Sequence, residues 1–177
     1  GMELIIKIDS IILSKIINDD EIIGRYLSNK FIKYNIKTKA TQIYIPKGGI
    51  ADIATSPDGG FIAYSSIYTD VIGKIWARLY LLDAKTMTEI ALLEEVEVEA
   101  QSLYYARMNF SYDGKYLATN ATTYGSDLQR NIYSTETLKS IKNYNPSNLK
   151  TYRLIIDFLN DNLYCIKTIN KINSKDY

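Results

Sequence analysis

Histidine is absent from the 177 residues, and cysteine occurs once. The first absence removes Ser-His-Asp and Cys-His nucleophilic catalysis, imidazole metal ligation and a histidine pH switch together. The lone Cys165 excludes an internal disulfide framework and a cysteine zinc cluster, and reads as apolar filler. An excess of charge is also lacking, with 21 basic against 20 acidic residues and a net charge of +1. That leaves no electrostatic footprint for nucleic acid or anionic lipid, so neither is an expected partner. Long apolar runs are missing as well. Residues 4–17 are interrupted by Lys7, Asp9 and Lys15, too short and too charged to span a bilayer. They do not follow the order of a signal peptide either, so the default compartment is cytoplasmic. No catalytic, metal-binding or phosphate-cradling motif stands out, and no cofactor is expected.

What is present is a core-forming composition, 46% hydrophobic, which suits one domain over residues 2–169 with a polar tail at 170–177. Gly1, ahead of Met2, reads as an expression remnant and is set aside. The 16 tyrosines accompany abundant isoleucine, lysine and asparagine, a pattern that coding bias alone produces, so they are not counted as a binding surface.

The chain is organised around two pieces in register, Ser56-Pro-Asp-Gly-Gly-Phe-Ile-Ala-Tyr64 and Ser111-Tyr-Asp-Gly-Lys-Tyr-Leu-Ala-Thr119. Each sets a polar tight turn before a short apolar strand. Proline presets the first turn angle in one copy, and glycine supplies positive φ. Around them, turn signals recur at close intervals, as in an antiparallel meander. A first group reads as strands at 11–17, 22–27, 31–36 and 43–45, with a further strand at 3–8. A second reads as 51–55, 61–67, 74–83 and 90–98, and a third as 107–111, 116–122, 131–134 and 140–144. A fourth holds only 152–158 and 163–168. Two stretches are contested. Residues 4–12 and 90–103 also place apolar residues on one helical face. The β-branched isoleucines decide the first for strand, and the period-two run Val96-Glu-Val-Glu99 decides the second.

The turn aspartates Asp20, Asp58, Asp113 and Asp161 lie 38, 55 and 48 residues apart. A four-stranded unit with a period near 40–50 residues is the signature of a β-propeller blade. The carriers Ser56 to Ala63 with Leu81 to Thr86, and Ser111 to Ala118 with Ile132 to Thr137, resemble the WD40-like propeller repeats of the Ser-Pro-Asp-Gly variety. No Trp-Asp dipeptide ends the third strand and no Gly-His signature precedes it, so the hydrogen-bond tetrad of strict WD40 domains cannot form. The resemblance therefore implies the blade fold and nothing chemical. The expected class is all-β, a small or partial propeller of about four four-stranded antiparallel blades. Its open ends would be covered in one of two ways. The strand at 3–8 joins the fourth group and closes a four-bladed ring, or a homo-oligomer completes the ring. Closure within one chain is preferred because it carries no concentration cost.

In a propeller, the loops between second and third strands share a face with the connections between blades. That face would collect Tyr68, Asp70, Tyr104, Tyr105, Arg107, Tyr124, Asp127 and Arg130. Aromatic residues with arginine are common interface anchors. The expectation is a non-enzymatic module that binds a protein or peptide there. A ligand-binding or hydrolytic propeller using the axial tunnel is the alternative, as is a remnant of a larger propeller. Glu94, Glu95, Glu97 and Glu99 are expected to point largely toward water, Asp58 and Asp113 to cap local amides, and Trp76 to sit in the core. Asn120-Ala-Thr122 matches a glycosylation sequon, though nothing in the sequence indicates secretion.

Overall fold

A computed structural model describes residues 11–26, 30–98, 105–122, 130–144, 152–159 and 162–169. The expected strand at 3–8, the turns at 28–29 and 160–161, the loop at 124–129 and the tail at 170–177 lie outside the described residues.

Every regular element described is a strand. Blade 1 comprises β1 (Ile11–Asn18), β2 (Glu21–Tyr26), β3 (Lys30–Asn35) and β4 (Thr41–Tyr44). Blade 2 comprises β5 (Gly49–Thr55), β6 (Phe61–Thr69), β7 (Ile75–Asp83) and β8 (Thr88–Val98). Blade 3 comprises β9 (Tyr105–Phe110), β10 (Tyr116–Thr122), β11 (Arg130–Ser134) and β12 (Ser140–Tyr144). β13 (Tyr152–Leu159) and β14 (Asn162–Ile169) pair with each other. In all three blades the strands run in sequence order across an antiparallel sheet. The first strands are neighbours from blade to blade, β1 with β5, β5 with β9 and β9 with β13. The architecture is a partial β-propeller. The expectation of about four full blades holds for three, and the fourth has two strands among the described residues. Both contested stretches are strands where they are described.

The hairpins explain the repeat. In blade 2 the amide of Gly59 donates to the Ser56 carbonyl at 3.0 Å, and the amide of Ser56 to the Phe61 carbonyl at 3.0 Å. The Ser56 hydroxyl donates to Asp58 Oδ1 at 2.5 Å and accepts from the Phe61 amide at 2.8 Å, while Asp58 Oδ1 accepts from the Gly60 amide at 3.0 Å. Ser111, Asp113, Gly114 and Tyr116 repeat the same bonds in blade 3. The serine is buried in both, so its short hydroxyl replaces water for a strand amide. Both aspartates cap backbone as expected, and both carboxyls are held below their ordinary range. For Asp58 the Ser56 hydroxyl acts first and the Gly60 amide second; for Asp113 the Lys115 amide precedes the Ser111 hydroxyl.

The turns from third to fourth strand also match. Lys39, Met87 and Leu138 occupy one slot at φ near +60° (63, 59 and 58). Each donates its amide to the carbonyl four residues back, on Asn35, Asp83 and Ser134.

Two cores lie between blades. Ile23, Phe31, Ile53, Ile62, Tyr64, Tyr80 and Leu82 bury the contact of blades 1 and 2. Tyr64 stacks on Tyr80 at 4.9 Å and meets Phe31 edge-on at 5.2 Å, and its hydroxyl lies 3.0 Å from that of Tyr44. Burial raises both phenols, Tyr44 and Tyr64, far above their ordinary value, which keeps them neutral. Ala63, Leu79, Leu81, Met108, Phe110, Leu117 and Tyr133 fill the contact of blades 2 and 3. Glu94 corrects the sequence reading. It shares a face with Val96 and meets blade 3, where its carboxylate accepts from the Tyr133 hydroxyl at 2.7 Å and the Asn131 amide group at 3.2 Å.

Candidate functional site

One end of the propeller carries the tight turns after first and third strands. The other carries the loops between second and third strands and the connections between blades. On this loop end, the described surface comes from the β6–β7 hairpin of blade 2 and from the connection between blades 1 and 2, where Ile45 is exposed.

β6 and β7 are joined by the hairpin Asp70-Val-Ile-Gly-Lys74. The Asp70 amide donates to the Lys74 carbonyl at 2.8 Å, and the Gly73 amide to the Asp70 carbonyl at 3.1 Å. Asp70 Oδ1 accepts from the amides of Ile72 at 3.0 Å and Lys74 at 2.9 Å. Its Oδ2 accepts from the Trp76 indole at 2.9 Å. These donors, the indole first, hold the carboxyl below its usual range. One side chain thus fixes the turn and orients the indole. Asp70 is engaged within its own hairpin. What the hairpin presents outward is Val71, 99% exposed, and Ile72, 74% exposed.

Behind this tip, register places Tyr68 opposite Trp76, Trp76 opposite Glu97 and Arg78 opposite Glu95. The Arg78 guanidinium lies 4.7 Å from the centre of the Tyr68 ring, and its Nε donates to Glu95 at 2.7 Å. Lys74 pairs with Glu97 at 2.8 Å. Trp76 is half-buried at this rim rather than in either blade-to-blade core. The result is an apolar tip above a strip of ring, guanidinium and paired charges.

Tyr68 lies within β6, next to its last residue, instead of standing in the loop. Tyr105 and Arg107 lie in β9 and Arg130 in β11, with Arg107 and Arg130 both paired to Asn120 of β10. Their backbones therefore stand at this end of blade 3. Tyr104, Tyr124 and Asp127 lie outside the described residues. Sequence reasoning passed over Val71 and Ile72. The available signal was two β-branched apolar residues between a turn aspartate and a turn glycine, a place polar residues normally take.

At the turn end, a groove of about 250 Å³ runs between blades 1 and 2, lined by Glu21, Lys33, Asn35, Thr38, Gln42 and Lys85 among others. The buried Lys33 ammonium donates to the carbonyls of Ala84 at 2.8 Å and Lys85 at 3.0 Å and lies 3.4 Å from Glu21. The two carbonyl bonds tie blade 1 to blade 2, and Glu21, of the same blade as Lys33, balances the charge. Among the described residues, no three cysteine, aspartate or glutamate side chains are grouped to hold a metal ion, and no helix is long and apolar enough to cross a membrane.

No protein-family model matches the chain, and no curated protein matches it in sequence. Solved structures do resemble it. The β-propeller domain of the Trilobed protease from Pyrococcus furiosus, described as having an open velcro topology, superposes with a TM-score of 0.53 at 17% identity, over 81% of this chain and 40% of that one. The WD40 domain of Toxoplasma gondii coronin superposes with a TM-score of 0.61 at 9% identity, over 89% of this chain and 40% of that one. These identities carry the fold alone. The chain spans about 40% of the length of each of those two chains.

Proposed function

We propose that this partial β-propeller is a non-enzymatic interaction module that takes a protein or peptide on its loop end. The hairpin tip Val71-Ile72 is its apolar anchor, and Tyr68, Trp76 and Arg78 form its rim. The observation that carries this reading is the exposure of two apolar side chains, Val71 at 99% and Ile72 at 74%, on a turn whose amides Asp70 caps. A pre-ordered tip loses little conformational freedom on docking, so the apolar area it buries is retained as affinity. Aromatic and arginine side chains at its base are the types that dominate interface energetics. Asp70 acts in this scheme by positioning the tip. Tyr105, Arg107 and Arg130 extend the surface onto blade 3, and Tyr104, Tyr124 and Asp127 belong to the same proposed face. The congruent Ser-x-Asp-Gly turns support placing the repeats with the Ser-Pro-Asp-Gly variety of WD40-like propellers.

An enzyme working through the axis would need carboxylates or arginines converging from the inner strands. Asp52 on β5 instead accepts from the Met108 amide of β9 at 3.3 Å, which favours a joint between blades.

The test compares proteins captured by the wild-type chain with those captured by a Val71→Asp/Ile72→Asp variant, using quantitative mass spectrometry on native lysate. Tyr112→Asp, at an exposed turn on the opposite end, is the control. A set of proteins lost from the double variant and kept by the control is expected. Alanine at Tyr68, Tyr105 and Arg107 should weaken the same set. Identical capture by all variants would refute the proposed face.

A further inference from the structure

Blade 1 has two apolar faces, and blade 2 covers one of them. Register places Ile16, Ile22 and Tyr34 in one row of the other face, with Gly24, Ile32 and Ile43 in the next. Ile16 is 73% and Ile43 59% exposed. The same face of blade 2 carries Ile62, Tyr64, Tyr80 and Leu82, which are 0–3% exposed because blade 1 lies against them. The outer face of blade 1 is therefore built as a blade-to-blade interface, continuous with the two already formed along the row of first strands.

We infer that this face is covered by a second copy of the chain, docked head to tail. The two described cores between blades each join unlike faces, so a contact of the same kind would join this face to the opposite end of the row in another copy. Contacts of this kind close into a ring when the rotation allows. Each copy contributes three four-stranded sheets and one two-stranded sheet among its described residues. Two copies then carry six four-stranded sheets and two two-stranded ones, against about four to eight four-stranded blades in closed rings.

Sedimentation velocity and light scattering on the full chain test this directly. A closed dimer of twice the chain mass is expected. Ile32→Lys combined with Ile43→Lys should weaken dimerisation by about tenfold or more, since it buries charge in an apolar contact, while the far-ultraviolet circular dichroism stays unchanged. If that pair fails to fold, Ile43→Gln on the edge strand β4 gives the same reading with a gentler change. Val71→Asp/Ile72→Asp should remain dimeric, which separates this interface from the loop-end site. A monomer at the highest attainable concentration would overturn the inference in favour of a face covered within one chain. So would an open-ended polymer, or a dimer indifferent to Ile32 and Ile43.

Discussion

Gly59 and Gly114 hold the same place in two turns of nearly the same sequence, at φ of +71° and +72°. Their surroundings differ. A methyl group on Gly59 would stand 2.8 Å from the Ile17 carbonyl oxygen and 3.4 Å from Ile17 Cγ2. On Gly114 its nearest neighbours would be the Asp58 carboxylate atoms, at 3.4–3.6 Å, and on Gly73 (φ +84°) there is nothing within 4 Å. Alanine at positive φ costs about 1–2 kcal/mol, offset by roughly 0.4–1 kcal/mol from the lost freedom of the unfolded chain. Gly73→Ala and Gly114→Ala should therefore each lose about 1 kcal/mol. Gly59→Ala must in addition push a sheet backbone aside, as overpacking does at about 1–3 kcal/mol, for a total near 3 kcal/mol. For a chain of this size the extra loss lowers Tm by about 4–8 °C relative to the other two variants. Urea and thermal unfolding followed by circular dichroism would measure it. Equal losses for all three would refute the claim that the Gly59 turn is packed against the β1 backbone.

Three further outcomes are expected. Tyr133→Phe should cost about 1.5–3 kcal/mol, because it removes a hydrogen bond to the Glu94 carboxylate, and a double-mutant cycle with Glu94→Gln should return at least about 0.5 kcal/mol of coupling; a null coupling would mean that the two blades are not joined there. Lys39→Gly should stabilise by about 0.5–1 kcal/mol because the exposed lysine sits at φ +63°, whereas Met87→Gly, at φ +59° but buried, should destabilise through lost core packing; like signs in urea melts would count against this. Asp58, Asp83 and Asp113 have folded pKa values below their unfolded ones, so their contribution is complete above the unfolded value of about 3.9 and is lost as pH falls through the depressed values; the acid limb of a Tm profile should be shallower in Asp58→Asn than in wild type.

Much of this fold is readable in the sequence because hairpin chemistry is local. Ser56, Asp58 and Gly59 specify their turn through bonds that span at most five residues, so the strands on either side follow. β8 is decided by its alternation at Val96–Val98, despite the helical spacing upstream. Other features depend on what lies across a blade interface. Lys33 occupies a core position because two carbonyls of blade 2 receive its ammonium. Glu94 turns inward because Tyr133 and Asn131 stand opposite it. Neither partner is local. At the site, Asp70 was legible as a turn residue, but the exposure of Val71 and Ile72 was not, since hydrophobicity alone predicts burial.

The lean of the turns has a temporal consequence. Gly59 lies against a carbonyl of β1, and Gly114 lies against Asp58, so these two turns are each seated on the sheet that precedes them in the chain. During translation the amino-terminal sheet emerges first, and each later one arrives to a template already laid.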